Sequence, residues 1–152
     1  MKLIASSLLI ALFLLPQMSH AKVQKVFGEV LLTEVDANSQ KYWYRVGHDK
    51  SEPVMKYPIE LARSKIQGCT VLSFDITEAG NTANVEVISS IPNKHLGKYA
   101  KNEVKSWRWQ QADSLSTVIG EKRTIRLDYC LGTESAASSQ AQCQRQAQLN
   151  CS

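Results

Sequence analysis

The chain lacks the sequence features that mark most catalytic and metal-binding proteins. No two of its cysteines are spaced as Cys-x-x-Cys, the pair that begins many zinc sites and forms the thioredoxin-type redox motif. No serine lies in a Gly-x-Ser-x-Gly nucleophile elbow, and neither His48 nor His95 has a companion at metal-ligand spacing. Two carboxylate pairs fall in predicted strands or turns, without the apolar pocket that tunes a catalytic acid: Glu34 with Asp36, and Asp75 with Glu78. We therefore expect a protein that is not an enzyme and that carries no metal and no cofactor.

The chain also lacks an apolar run long enough to cross a membrane, which takes about 20 residues. The run from Leu3 to Leu15 is shorter, follows the positive Lys2 and ends at a proline. Ser19-His20-Ala21 then places small residues at the two positions that a signal peptidase recognises. We predict a signal peptide over residues 1–21, cleaved between Ala21 and Lys22, and hence an exported protein. A retained, uncleaved anchor is the alternative.

A strong excess of one charge is missing as well. The formal net charge is +4, and removal of Lys2 with the signal peptide lowers it to +3. That excess is too small to indicate a nucleic-acid partner.

Four cysteines lie in the part of the chain that follows the signal peptide: Cys69, Cys130, Cys143 and Cys151. An even number in an exported chain favours structural disulfides, because exported compartments are oxidising. Four cysteines permit three pairings, and their spacing alone selects none of them.

The first pattern beyond the signal peptide predicts strands. Residues 23–46 are rich in β-branched and aromatic side chains on either side of the polar stretch Asp36-Ala37-Asn38-Ser39, so residues 22–55 are expected to form a β-hairpin and a loop. A helix is expected to begin at Pro58 and to end by Gly68, with Ile59, Ala62 and Ile66 on its apolar face.

A regular order of elements follows. Cys69 to Ile76 alternates as a half-buried strand, the turn Glu78 to Asn81 leads into a partner strand, and a helix spans residues 93–107. Its apolar stripe contains Leu96, Ala100, Val104 and Trp107. On its opposite side lie five basic residues, which we interpret as a solvated helix face rather than a site for anionic lipid, peptidoglycan or nucleic acid: Lys94, Lys98, Lys101, Lys105 and Arg108. The last strand runs from Arg123 to Leu131, and the Ala- and Gln-rich tail, residues 132–152, is expected to contain a helix.

This order predicts an α+β fold, a two-layer sandwich in which a three-stranded antiparallel sheet packs on two helices, with or without the amino-terminal hairpin in the sheet. A right-handed crossover places the last strand beside the first, antiparallel to it, where it is expected to be a free edge. Cys69 begins the first strand and Cys130 ends the last, on the same face. We therefore expect the pairs Cys69–Cys130 and Cys143–Cys151.

Residues 56–131 resemble the TonB carboxy-terminal domain family, which implies a fold of the TonB/TolA carboxy-terminal type. The matching features are Tyr57-Pro58, Ile66-x-Gly68, Phe74-Asp75-Ile76, Gly80, Asn84-Val85-x-Val87-x-Ser89 and Ser106-Trp107-Arg108-Trp109. The resemblance implies a periplasmic protein-interaction module linked to TonB-dependent transport at the outer membrane. It implies that a transporter peptide, or another periplasmic protein segment, adds beside the last strand by β-augmentation. The matching positions are Arg123, Thr124, Ile125, Arg126, Leu127 and Asp128.

The chain departs from the family's energy-transducing members. It has no long proline-rich spacer, and Gln111 stands where proline is common. The alternatives are therefore an exported disulfide-stabilised domain of unrelated activity, enzyme or inhibitor, or an anchored energy transducer if residues 1–21 are retained. A tail folded over the edge of the last strand would also block the predicted site.

Overall fold

The computed structural model describes residues 25–36, 42–47, 55–92, 94–113, 117, 119–132 and 134–152. The predicted signal peptide, its predicted cleavage site at Ala21 and Lys22, and His48 lie outside these ranges. The elements in chain order are β1 Phe27–Glu34, β2 Trp43–Arg45, α1 Ile59–Arg63, β3 Gly68–Ile76, β4 Thr82–Ile91, α2 Lys94–Ser106, β5 Trp109–Gln111, β6 Glu121–Gly132 and α3 Ala136–Gln146.

The centre of the fold is a four-stranded antiparallel sheet in the order β1-β6-β3-β4. The predicted neighbours are confirmed, because β3 lies between β4 and β6 and is antiparallel to both. The predicted alternation of β3 is confirmed too. Its four inward side chains are almost completely buried: Thr70, Leu72, Phe74 and Ile76.

One face of the sheet forms the main core with α1 and α2. The predicted stripe of α2 is confirmed, since Leu96, Ala100 and Val104 have no exposed surface. In α1 the prediction of the buried face is wrong for Ile59, which is 58% exposed, and it missed the buried Leu61, whereas Ile66 beyond the helix packs against the core. The helix ends after five residues and Lys65 has a φ of 52°, which turns the chain before Ile66 is reached.

The opposite face of the sheet is covered by α3, so the fold has three layers where two were expected. α3 lies on β6 and on β1. The helix begins with a capping box between Ser135 and Ser138, which satisfies main-chain groups left free by a first turn. The third layer forms because Asp128 and Cys130 of β6 face away from α1 and α2 and are buried by the tail.

The predicted amino-terminal hairpin is wrong in its pairing. Both strands form, but β1 pairs with β6, whereas β2 pairs with β5 in a separate two-stranded sheet. β2 carries Trp43, a buried side chain whose indole N–H donates to the Ile119 carbonyl at 2.9 Å. β5 carries Trp109, which stacks on Phe74 with 5.6 Å between ring centroids. Burial of these rings in the core draws β2 away from β1.

All four cysteines are in disulfides, but the expected pairing is wrong. The bonds are Cys69–Cys151 and Cys130–Cys143, with Cα–Cα distances of 5.9 and 5.3 Å. Cys69 is opposite Asp128 in the register, so Cys130 lies two positions away and is only a diagonal neighbour. Diagonal Cα atoms lie about 7–8 Å apart, beyond the usual reach of a disulfide. Each sheet cysteine therefore bonds to a cysteine of the tail that covers its face.

Within the described ranges, the helices are all too short or too polar to span a lipid bilayer.

Candidate partner-binding edge of the sheet

The predicted partner-binding segment, Arg123 to Asp128, is paired on both sides. β3 forms one ladder with it, and β1 forms the other, in which Leu31 is opposite Asp128 and Glu34 is opposite Ile125. The expectation of a free edge at the last strand is therefore wrong. It failed because β1, which was assigned to a hairpin, extends the sheet by one strand.

The main-chain groups of Thr124 and Arg126 on β6 point away from β3. The Thr124 carbonyl accepts a hydrogen bond from the Val35 amide at 3.0 Å, so the main chain at Thr124 faces away from β3. Main-chain direction alternates along a strand, so Arg126 has the same direction as Thr124. These are the groups that a partner strand would use, and here they face β1.

The charged side chains of the predicted segment are held inside the protein. Arg123 is buried and donates to the Trp43 carbonyl at 2.6 Å, and its guanidinium lies 4.8 Å from the centre of the Trp109 ring. It also lies 3.8 Å from the carboxylate of Glu34 on β1. Its role in this structure is to connect β6 with β1 and β2.

Arg126 and Asp128 form a second internal group on the α3 side of the sheet. The guanidinium makes two hydrogen bonds to the buried carboxylate, at 2.8 and 2.9 Å. It also donates to the carbonyls of Gln146 and Leu149 at the end of α3, where carbonyl groups have no partner within the helix. This arrangement fixes the tail on the sheet.

β1 is attached to the domain by few buried side chains. Val30 is 2% exposed and is its one fully buried residue, while Leu31 and Leu32 are half-buried. Gly28 allows a close approach to Tyr57, since a Cβ atom there would lie 2.5 Å from the tyrosine Cγ. Eight residue pairs with β6 and the packing of α3 on the other face of the strand complete the attachment.

The tail does not cover the edge of β6, so the alternative in which the tail itself blocks the predicted site is wrong. α3 packs across the face formed by β6 and β1, and the two disulfides hold it there. Among the described residues, the outermost strands of the sheet are β1 and β4.

The strongest electrostatic effects lie in the core rather than at this edge. Burial raises the pKa of Tyr57 to about 12, and burial, with Glu103 and Tyr57 next, raises the pKa of Tyr129 above its ordinary range. Burial lowers the pKa of Arg45, which lies 4.4 Å above the Trp107 ring, although Glu103 opposes the shift. In the part of the chain that the structure describes, no three His, Cys, Asp or Glu residues are grouped to hold a metal ion.

The residues that sequence reasoning missed are those of β1. Gly28, Val30, Leu32 and Glu34 face the core side, and Glu29 and Thr33 alternate with them. This alternation is a signal for a strand, but it names no partner strand.

Comparison with known proteins identifies relatives for the middle of the chain. Residues 53–126 match the family described as Gram-negative bacterial TonB protein C-terminal. Protein TonB of Salmonella typhimurium is 31% identical over 55 residues, which are 36% of this chain and 23% of the relative. Protein TonB of Xanthomonas campestris pv. campestris is 33% identical over 72 residues, 47% of this chain and 30% of the relative. The match thus spans less than a third of either relative.

A solution NMR structure of the Pseudomonas aeruginosa TonB CTD aligns with 66% of this chain and 90% of that chain, at 17% identity and a TM-score of 0.40. Both β1 and α3 lie outside the segment that matches the family.

Proposed function

Because residues 53–126 of this chain belong to the TonB C-terminal family, we propose that the protein is a protein-binding module rather than an enzyme, and that it takes an extended segment of its partner beside β6 in place of β1. The binding positions are those of the predicted segment, Arg123 to Asp128. We further propose that the module acts in the periplasm.

The observation that carries this proposal is the pairing of β6 with β1. A segment from outside the family-matched region lies along the last strand over eight residue pairs. The outer edge of β6 therefore has the geometry to accept an extended peptide, which is the requirement for β-augmentation. β1 occupies this edge as a strand from the same chain.

Exchange of β1 for a partner strand is energetically modest. A partner strand replaces the main-chain hydrogen bonds of β1 one for one. The side-chain loss is dominated by Val30, since full burial of one such side chain contributes roughly 1.5–3 kcal/mol. β1 has the advantage of being linked covalently to the domain. A short tether of this kind gives the strand an effective concentration of about millimolar at the edge of β6.

The contacts of β1 describe the partner that would compete with it. The partner needs an apolar side chain at the position of Val30 and a second at the half-buried position of Leu32. It needs an acidic side chain at the position of Glu34, where it meets the guanidinium of Arg123.

The disulfides and the relatives support the proposed compartment and partner. Two disulfides suit an oxidising compartment, which the periplasm provides. The relatives carry the name Protein TonB. We therefore place the partner among the periplasmic segments of outer-membrane transporters.

The test is to weaken β1 and to measure partner binding. Val30→Asp buries a carboxylate on the core side of β1 and releases the strand, so the binding-competent fraction increases. Affinity for peptides from the amino-terminal periplasmic segments of the host's outer-membrane transporters should then increase roughly tenfold or more. Isothermal titration calorimetry measures this change.

Val35→Asp is the matched control. It introduces the same charge at a residue that is 54% exposed and lies just beyond β1. Its affinity should equal that of the unmodified protein. Equal affinities for the unmodified protein and both variants would contradict the proposal, provided that circular dichroism shows the Val30→Asp variant to be folded.

A further inference from the structure

A groove lies at the other side of the sheet, between the edge strand β4 and helix α2. Its volume is about 490 Å³. It is lined by Val87, Ile88, Ser89, Ser90, Lys94, Lys98 and Lys101. β4 pairs with β3 on one side, and within the described ranges no strand pairs with its other side. The groove is therefore distinct from the edge of β6.

The strand side of the groove exposes apolar side chains. Val87 is 38% exposed, Ile88 is 61% exposed, and Ile91, at the end of the strand, is 39% exposed. The register shifts at this point, so that Val71 is opposite Ser89 and Leu72 is opposite Val87, which leaves Ile88 as the extra residue of a bulge. Bulges re-aim side chains at sheet edges, and this one directs a large apolar side chain outward.

The groove is built into the fold by the close contact of α2 with β4. Gly97 of α2 is buried against the strand, and a Cβ atom there would lie 2.9 Å from Val87 Cγ1. Its amide donates to Ser90 Oγ at 2.9 Å, which ties the first turn of α2 to β4. The walls of the groove are thus fixed before a ligand arrives.

The helix side of the groove is positively charged. Lys94 and Lys98 are exposed and Lys101 is half-buried. None of the ion pairs formed among the described residues involves these three lysines. An apolar floor beside ammonium groups that form no ion pair with other described residues fits a ligand that is apolar on one side and anionic on the other.

We infer that this groove binds an extended peptide segment of a partner protein, with apolar side chains against Val87 and Ile88 and acidic side chains facing the lysines of α2. Unpaired main-chain groups of an edge strand favour a polypeptide, because only another main chain satisfies them in series. A cleft between an edge strand and a helix is a common place for such strand addition. The site is independent of the one proposed at β6, and the two are able to hold different segments.

The experiment uses two fluorescent synthetic octapeptides, one alternating valine with glutamate and one alternating valine with lysine. Fluorescence anisotropy with the purified protein should detect binding of the glutamate peptide and none of the lysine peptide. The triple variant Lys94→Glu, Lys98→Glu, Lys101→Glu should bind the glutamate peptide roughly tenfold or more weakly, since each lost exposed ion pair contributes modestly. Lys105→Glu, on the same helix but outside the groove, should change the affinity less than about twofold.

The location of binding is read from amide chemical shifts of the ¹⁵N-labelled protein. The glutamate peptide should shift amides of residues 87–91 and 94–101 and leave those of β1 unchanged. Equal binding of the two peptides, no loss in the triple variant, or shifts confined to β1 and β6 would overturn the inference. Binding of phosphatidylglycerol vesicles but not of the glutamate peptide would also overturn it, because the ligand would then be a membrane surface. None of these results bears on the Val30→Asp test, which probes the opposite edge.

Discussion

Two glycines with left-handed main-chain conformation differ only in their surroundings. Gly47 has a φ of 70° and open space around it, whereas Gly80 has a φ of 72° and a Cβ atom there would lie 2.3 Å from the Trp109 carbonyl oxygen. The same turn holds β5, because the Trp109 amide donates to the Gly80 carbonyl at 2.9 Å.

Alanine at Gly80 should therefore destabilise the protein more than alanine at Gly47. The left-handed conformation costs an alanine about 1–2 kcal/mol at either site. The contact with Trp109 should add about 1–3 kcal/mol at Gly80 alone. Urea unfolding of both variants measures the difference, and equal losses of stability would show that β5 moves aside freely.

The buried hydroxyl of Tyr57 should make the protein less stable at high pH. Its hydroxyl donates to the Ile66 carbonyl, its ring lies edge-on to Tyr129, and burial raises its pKa to about 12. A raised pKa in the folded state means that the neutral form is favoured by folding. The stabilisation is therefore complete below the unfolded pKa of about 10 and is lost as the pH rises toward 12.

Tyr57→Phe removes both the hydrogen bond and the ionisable group. At about pH 8 the variant should be less stable than the unmodified protein by about 1 kcal/mol. The difference should shrink by about pH 11, because only the unmodified protein then has to keep Tyr57 neutral. Free energies of unfolding at the two pH values test this, and a constant difference would contradict the assigned burial effect.

At the scale of the residue, the spacing of apolar side chains predicted well which residues are buried, but it predicted poorly where a helix ends. The inward set of β3 and the stripe of α2 were identified because each repeats over three or more turns or pleats. α1 has only five residues, so the spacing of Ile59, Ala62 and Ile66 extends past its end. A short helix has too few turns for periodicity to show which side is buried.

At the scale of the element, the tail helix α3 depends on covalent attachment. Cys69–Cys151 closes a separation of 82 residues, whereas Cys130–Cys143 closes 13. In the chain-entropy account the longer loop contributes about 4.5 kcal/mol and the shorter one about 3 kcal/mol. Removing the first bond by Cys69→Ala with Cys151→Ala should therefore destabilise more than Cys130→Ala with Cys143→Ala.

Thermal unfolding of the two double variants ranks these losses, after non-reducing peptide mapping has verified the bonds. A larger loss from Cys130→Ala with Cys143→Ala would show that local packing of the fully buried pair outweighs loop closure.

Local sequence predicted the strands but did not determine which strands pair with each other. The order β6-β3-β4 followed from the turn at Gly80 and the right-handed crossover. β1 has no such constraint. It ends at Glu34 and β2 begins at Trp43, and this short connection does not show which sheet each strand enters. The prediction of the disulfide pairing was wrong for a related reason. The predicted register was in error by two residues, so Cys130 is a diagonal neighbour of Cys69 and not the residue opposite it.

At the scale of the whole molecule, the family-matched domain has an additional strand on its last edge and an additional helix on one face. Residues 53–126 contain α1, α2 and most of the sheet, while β1 and α3 flank them in sequence and touch each other in space. Because α3 is held by both disulfides and packs on β1, it supports the strand that occupies the proposed binding edge. If the partner binds at β6 as proposed, we therefore expect it to release β1 alone and to leave α3 in place.

Hydrogen exchange of the main-chain amides, with and without a bound transporter peptide, tests this account most directly. If the peptide takes the place of β1, the amides of residues 27–34 should lose protection when it binds, while those of β6 stay protected by the new strand. If β1 remains as protected as in the free protein while the peptide is bound, the partner does not pair with β6, and the central claim is wrong.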